Sequence, residues 1–230
     1  MTKAAVKDYF LTDVATHKLE IIRDDDVNRH IRFSRPGTMD CMFDLITWPG
    51  HLCVTGDCGT YVFQRLHDMF KFFSMDWHTD DLSRNINTGY WAEKCIARDR
   101  DGITEFCEET FTRAVLGDLT SWIKSHREDT TQEERRELWE AVVDDVIRAD
   151  SDGGGYRQQI AAHEFSHQVS DTVGEFSFQD FWEHSTNRYT DRYLWNCYAI
   201  AWGIRQYDLH KAAGLKDRLS RLKELRELLK

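Results

Sequence analysis

The sequence of 230 residues contains no long apolar run and very little proline. No run approaches the roughly 20 apolar residues that cross a bilayer, and the N-terminal stretch MTKAAVKDYFLTD lacks the apolar core of a signal peptide. We therefore expect a protein that does not enter the membrane and that acts in the cytoplasm. Because the only two prolines are Pro36 and Pro49, the chain beyond them is free to form helices.

Closely paired cysteines are also missing. The six cysteines form no C-x-x-C pair, and a disulfide framework is not expected in a reducing cytoplasm. His51, Cys53 and Cys58 lie close in sequence, with Cys41 upstream, and soft ligands at short spacing can bind zinc. The spacing lacks the C-x₂-C knuckle of zinc modules, so core or incidental cysteines are the favoured interpretation. Glycine motifs for nucleotide binding are absent as well, and we expect no cofactor.

Acidic side chains outnumber basic ones, 40 to 30, and the excess is confined to one region. Residues 76–155 contain 20 acidic and 10 basic side chains, whereas the flanking thirds are close to neutral. Nucleic-acid binding uses clustered lysine and arginine, so this distribution argues against direct contact with DNA or RNA. It favours a surface that attracts a basic protein partner.

The segment from Thr131 to Ala149 predicts a helix with an apolar face and an acidic face. The predicted apolar face consists of Leu138, Trp139, Val142, Val143, Val146 and Ile147. The predicted acidic stripe consists of Glu133, Glu137, Glu140 and Asp144. The candidate acidic surface also includes Glu105, Glu108 and Glu109. Two interpretations stay open: a docking surface for a basic partner, or an ordinary solvated helix face that neighbouring arginines partly neutralise.

Turn signals divide the first part of the chain into short strands. Pro49-Gly50 fits the centre of a type II turn, and Gly56-Asp57-Cys58-Gly59 predicts a second turn. The predicted strands are Leu19–Arg23, Arg29–Phe33, Met42–Trp48, His51–Thr55 and Thr60–Phe63. The predicted fold class is α+β: an N-terminal antiparallel β-meander of about five short strands with a packed helix, followed by a mainly α-helical middle and C-terminal part.

The glycine-rich segment 150–155 is the clearest linker in the sequence. It separates residues 1–150, an α+β part whose acidic helical segment covers 76–150, from a helical part at 156–230. One compact domain with a glycine-rich loop at 150–155 is the alternative. Further helices are predicted at Glu108–Ser125, Tyr156–Val169, Phe178–His184 and Asp191–Ala213. A last amphipathic segment, 215–230, carries leucines that can pack on the body or pair in a homodimer.

The string His163-Glu164-Phe165-Ser166-His167 matches the H-E-x-x-H pattern of zinc peptidases. On a helix this spacing places both imidazoles on one face, with the glutamate as general base. The segment lies within a predicted helix, but the sequence offers no clear third ligand. We therefore assign no metal site and no catalytic residue. A zinc-dependent hydrolase that uses His163, His167 and Glu164 is kept as the alternative to two ordinary surface histidines.

Five stretches between residues 17 and 208 carry a resemblance to a known family. They read HKLEIIRDD, RHIRFSRPGT, FDLITWPGHLCVTGDCGTYVFQRLHDMFKFF, INTGYWAEKCIARDRDGITEF and FWEHSTNRYTDRYLWNCYAIAWGIRQYD. They are similar to a family of uncharacterised proteins that bacteriophages and prophages carry. The resemblance transfers no catalytic residues. It implies a phage accessory protein in the host bacterial cytoplasm, and such proteins often counter host immunity, as anti-CRISPR proteins do.

Together, the resemblance and the acidic region predict a non-enzymatic inhibitor of a bacterial defence system. By analogy with acidic anti-CRISPR proteins, the acidic surface is expected to bind the basic groove of a CRISPR-Cas effector or nuclease and to compete with its DNA or RNA. A phage accessory or structural protein without an inhibitory role is the remaining alternative.

Overall fold

A computed structural model describes residues 3–74, 81–84, 86–149 and 155–228, with side chains as far as residue 224. The chain divides into two compact units: unit 1 comprises Met1–Ile103 and Thr190–Lys230, and unit 2 comprises Thr104–Tyr189. The linker predicted at 150–155 therefore falls inside unit 2 rather than between units, and its residues 150–154 lie outside the described residues.

The described elements confirm the predicted α+β class. In chain order they are α1 (Lys3–Asp13), β1 (Lys18–Asp25), β2 (Asn28–Ser34), β3 (Phe43–Trp48), β4 (His51–Gly56), β5 (Gly59–Gln64), α2 (Met69–Phe73), α3 (Thr88–Glu93), β6 (Cys95–Arg98), β7 (Thr104–Phe106), α4 (Glu108–Ser125), α5 (Gln132–Val142), α6 (Tyr156–Glu164), β8 (Ser166–Ser170), β9 (Gly174–Ser177), β10 (Asn187–Tyr189) and α7 (Asp191–Leu228). Short 3₁₀ turns cover Leu82–Arg84 and Phe181–Glu183, and a π-helical turn covers Val143–Ile147.

Unit 1 is built on an antiparallel sheet whose strands β1 to β6 follow one another in sequence order. The five predicted strands are all present, and β6 pairs with β5 as a sixth. At the predicted Pro49-Gly50 turn, Trp48 pairs with His51 and Gly50 has a φ of +81°, the positive value that a type II turn requires at its third position. The turn chemistry therefore sets the register of the meander.

Alternating side chains of the sheet form the core of unit 1 against α7. Phe33 packs edge-on against Trp202, with ring centroids 5.2 Å apart, and Tyr61 packs against Tyr193 at 5.6 Å. The fully buried members on the strands include Ile31, Phe33, Phe43, Leu45, Leu52, Val54, Tyr61 and Phe63. Because the strands β2 to β5 bury alternate residues, the sheet has one apolar face, as the period of two predicts. The helix predicted at Asp191–Ala213 and the amphipathic segment that follows it form the single helix α7 as far as Leu228, and residues 229–230 lie outside the described residues.

Unit 2 contains α4, α5, α6 and two small antiparallel strand pairs, β7 with β10 and β8 with β9. The helix predicted at Tyr156–Val169 is wrong beyond Glu164, because Phe165 is extended (φ −66°, ψ 130°) and β8 follows it. From Phe165 to Val169 every second side chain points inward. Phe165 and Val169 are buried in the core of unit 2 with Phe176. The burial of these alternate apolar side chains favours a strand over the helix that the sequence pattern also allows.

Two further helix predictions need correction. The helix expected from Thr131 to Ala149 is α-helical only as far as Val142 and continues as the π-helical turn. The helix expected at Phe178–His184 is reduced to one 3₁₀ turn. The predicted helix Glu108–Ser125 is confirmed with the same bounds as α4. No described helix combines the length and the apolar character that a membrane span requires.

Candidate functional site

The net negative charge of the chain belongs to unit 2. Its 86 residues, 104–189, carry 19 acidic and 8 basic side chains, a net charge of −11. Unit 1 carries the remaining 21 acidic and 22 basic side chains, a net charge of +1. The acidity predicted for the middle of the sequence is thus a property of one folded unit, so its field acts from one part of the protein.

The acidic stripe begins at the capped N-terminus of α5. The Thr131 hydroxyl accepts the Glu134 N–H at 3.2 Å, and Glu134 Oε2 accepts the Thr131 N–H at 2.7 Å, a reciprocal capping box. This hydrogen bond from the Thr131 backbone lowers the pKa of Glu134. The cap fixes where the helix starts and therefore which side chains share its outer face. All four predicted stripe residues are exposed: Glu133, Glu137, Glu140 and Asp144.

Arginines neutralise part of this stripe. Arg136 forms ion pairs with Glu133 and, at 3.9 Å, with Glu140, while Arg148 binds Asp144 at 2.7 Å. Within the described residues, Glu137 forms no ion pair. Arg135, the third arginine nearby, instead donates to the backbone carbonyls of the preceding loop. Exposed ion pairs of this kind contribute little to stability, so their carboxylates remain available to a competing cation.

The other predicted carboxylates lie at the start of the unit. Glu105 is on β7 and pairs with Arg188 of β10 at 2.8 Å. Glu108 and Glu109 form the first turn of α4, where negative charge complements the helix dipole. All three are exposed. The dipole interaction gives Glu108 and Glu109 a structural reason to be acidic. In the stripe, only Glu133 lies in the first turn of α5 and shares that reason.

Trp139 is the residue of α5 that departs most from the prediction. The sequence assigns it to the apolar face, but 43 % of its surface is exposed, whereas Leu138, Val142 and Val146 are buried. The π-helical turn directly after α5 brings Val146 into the core. An exposed tryptophan in an acidic helix is typical of protein interfaces, in which tryptophan is enriched and tends to carry binding energy.

Unit 2 also contains a concave pocket of about 460 Å³ next to α6. Two aromatic side chains at its rim, Tyr156 and Trp182, are each 68 % exposed. His184, also in its wall, forms a 2.9 Å hydrogen bond with Asp118 of α4. The lining residues are Tyr156, Gln159, Ile160, His163, Phe181, Trp182, His184, Ser185, Thr186 and Asn187. No sequence pattern indicates this pocket, because its wall joins α6 to a segment some twenty residues further along the chain.

The H-E-x-x-H string does not form the predicted helical pair of histidines. His163 is in the last turn of α6 and contacts Trp182, whereas His167 is on β8 with its ring stacked on Phe165. The helix ends between them, so the i, i+4 spacing no longer places both imidazoles on one face. Glu175, a carboxylate downstream of the string, accepts a hydrogen bond from Ser166. The arrangement that motivates the zinc hydrolase alternative is therefore not the one observed.

The structure separates the cysteine group that the sequence suggests. Cys41 and Cys58 come together with Asp57, whereas His51 and Cys53 on β4 do not join them. In the described part of the chain this is the one group of three or more potential metal ligands. Sequence spacing gave little signal for it, because sixteen residues separate the two cysteines and the carboxylate lies in a turn.

Comparison with known proteins yields no match: no family model, no curated protein and no solved structure is similar to this chain.

Proposed function

We propose that the chain is a phage-encoded inhibitor of a bacterial defence system, in which the acidic surface of unit 2 binds a basic groove on a host protein complex that handles nucleic acid. The partner in this proposal is a CRISPR-Cas effector or nuclease, and the protein acts as a nucleic-acid mimic in the host cytoplasm. The phage setting rests on the sequence resemblance alone.

The observation that carries the proposal is the confinement of the negative charge to unit 2. A net charge of −11 on 86 residues, beside a unit of net charge +1, is a strongly uneven distribution. A groove built to bind a phosphate backbone presents clustered lysine and arginine, and an acidic protein surface is complementary to it. Such complementarity raises association rates and excludes acidic competitors.

Exposed tryptophan supports a protein partner rather than a solubilising role. A surface that serves only solubility needs charge alone, whereas Trp139 places a large apolar side chain within the acidic helix. Trp182 does the same at the rim of the pocket. In interfaces, such residues bury apolar area at the centre while charged residues form the rim.

The test is capture of host proteins on the immobilised chain from a lysate of host bacteria. Three forms are compared: the wild type, a stripe variant with Glu133→Gln, Glu137→Gln, Glu140→Gln and Asp144→Asn, and a control variant with Asp8→Asn, Glu20→Gln, Asp25→Asn and Asp40→Asn. The control removes the same number of exposed carboxylates from unit 1. We expect the wild type and the control to retain a nucleic-acid-binding complex that salt elutes, and the stripe variant to lose it.

Two results would refute the proposal. One is equal retention by the stripe and control variants. The other is binding whose affinity barely changes between low and high salt, because an interface between an acidic surface and a basic groove weakens as salt screens it.

A further inference from the structure

Two loops of unit 1 bring three potential metal ligands together outside the acidic surface. Cys41 lies in the segment before β3, and Asp57 and Cys58 form the turn between β4 and β5. The two sulfur atoms and a carboxylate oxygen of Asp57 all lie within 4.8 Å of one another. This spread is close to twice a zinc–sulfur bond of about 2.3 Å, so small side-chain movements bring all three ligands to one ion.

The backbone holds these loops in contact. The Cys41 N–H donates to Asp57 Oδ2 at 2.9 Å, and the Asp57 N–H donates to the Met42 carbonyl at 3.0 Å. Gly56 permits this approach, since a Cβ there would lie 2.0 Å from the Met42 oxygen. Cys41 has a φ of +51°, a left-handed conformation that is uncommon for cysteine. The strain is sustained by the surrounding contacts, as is typical of functional sites.

Two further elements fix the cysteine backbones from outside the group. His17 Nε2 hydrogen-bonds to the Cys41 carbonyl at 3.0 Å, and Asn196 Nδ2 of α7 donates to the Cys58 carbonyl at 2.8 Å. Asn196 is buried. Outer contacts of this kind orient the residues that bind a metal. A cleft of about 360 Å³ borders Asp57 and Cys58 and gives an ion a path to the group.

We propose that Cys41, Asp57 and Cys58 bind one thiophilic divalent cation of the zinc class. Two thiolates and one carboxylate form a donor set that suits zinc and cadmium, whereas magnesium and calcium prefer oxygen ligands alone. Three protein ligands leave the fourth tetrahedral position for water. The cation coordinates both sulfurs as thiolates, so each thiol releases its proton to solvent on binding.

The experiment titrates Cd²⁺ into the reduced, chelator-treated full-length protein and follows the ultraviolet charge-transfer absorbance of cadmium–thiolate bonds. We expect saturation at about one ion per chain and displacement by Zn²⁺. Cys41→Ser with Cys58→Ser should abolish the signal. The control pair Cys53→Ser with Cys95→Ser, which lies outside the group, should retain it. Asp57→Asn should weaken binding by about tenfold or more.

A second readout separates binding from misfolding. Zinc should raise the unfolding temperature of the wild type and of the Cys53/Cys95 control, but not that of the Cys41/Cys58 variant, provided that all three have the same circular dichroism without metal. The proposal is overturned if the wild type shows no charge-transfer absorbance. It is equally overturned if the two cysteine variants bind Cd²⁺ alike.

Discussion

At the scale of the single residue, Asp44 is a buried carboxylate with strong partners in unit 1. It accepts hydrogen bonds from Arg32 Nε and Nη2, each at 2.8 Å, and from His30 Nε2 at 2.9 Å. Burial by itself raises the pKa of Asp44, but the hydrogen bonds from Arg32 and His30 outweigh burial and hold the pKa below its ordinary value. Asp44 therefore stabilises the fold in its ionised form.

We predict that Asp44→Asn lowers the free energy of unfolding by about 1–3 kcal/mol at neutral pH, because it leaves the half-buried donors Arg32 and His30 poorly paired. A carboxyl group whose pKa is lower in the folded state contributes stability above its unfolded pKa of about 4. That contribution disappears as the pH falls through the folded value. Urea unfolding of the wild type and the variant should therefore show a difference that shrinks below about pH 4.

Asp40→Asn is the matched control for this prediction. Asp40 also pairs with an arginine, Arg35 at 2.6 Å, but both side chains are exposed. Its loss should change the free energy of unfolding by less than about 1 kcal/mol. Equal destabilisation by the two substitutions at neutral pH would show that burial of Asp44 does not matter.

At the scale of the element, a glycine lets α7 approach the sheet of unit 1 closely. Gly203 faces the strands, and a Cβ at this position would lie 2.7 Å from Leu45 Cδ1 and 3.0 Å from Phe33 Cε2. Both neighbours are fully buried, so neither can move freely. The glycine therefore serves close packing of helix against sheet.

We predict that two glycine-to-alanine substitutions in α7 change the free energy of unfolding in opposite directions. Alanine ordinarily stabilises a helix by about 1 kcal/mol relative to glycine. Gly203→Ala should instead lower the free energy of unfolding by about 1–2 kcal/mol, because it overpacks the core. Gly214→Ala, with no heavy atom within 4 Å of its Cβ, should keep the ordinary gain. Thermal unfolding measures both, and a stabilised Gly203→Ala would contradict the packing described.

The elements also show which parts of the fold a sequence can reveal. The five meander strands are predictable because Pro49, Gly50 and the 56–59 turn act locally on backbone geometry. The end of α6 before Phe165 is not predictable, because a helical and an extended pattern both fit the sequence. Only the burial of Phe165 beside Phe176 decides between them. The π-helical turn after Val142 is likewise one that no local pattern predicts.

At the scale of the whole molecule, the fold changes the bounds of the acidic region and leaves its charge density the same. The sequence places the acidic excess in residues 76–155, whereas the structure assigns it to unit 2, residues 104–189. The difference arises because α7 returns to unit 1, so that unit consists of two separate segments of chain. The acidic stripe was predictable from spacing alone, since its residues follow the helical period. The Cys41–Asp57–Cys58 group was not predictable from the sequence, because it forms only where two loops of unit 1 come into contact.

The homodimer stays a prediction at this scale. Leu215, Leu219 and Leu222 are exposed on α7, as the amphipathic pattern of the last segment indicates. Their spacing of four and three residues is that of a helix pair, although it extends over too few turns to define one.

The central claim, that unit 2 occupies a groove made for nucleic acid, is tested most directly by competition. The host complex captured on the immobilised chain is challenged with rising concentrations of the DNA or RNA that this complex binds. We predict that the nucleic acid releases the complex from the wild-type chain, and that the unit 1 control variant behaves in the same way. A complex that stays on the chain while saturated with nucleic acid would contradict the account, because the two ligands would then occupy different sites.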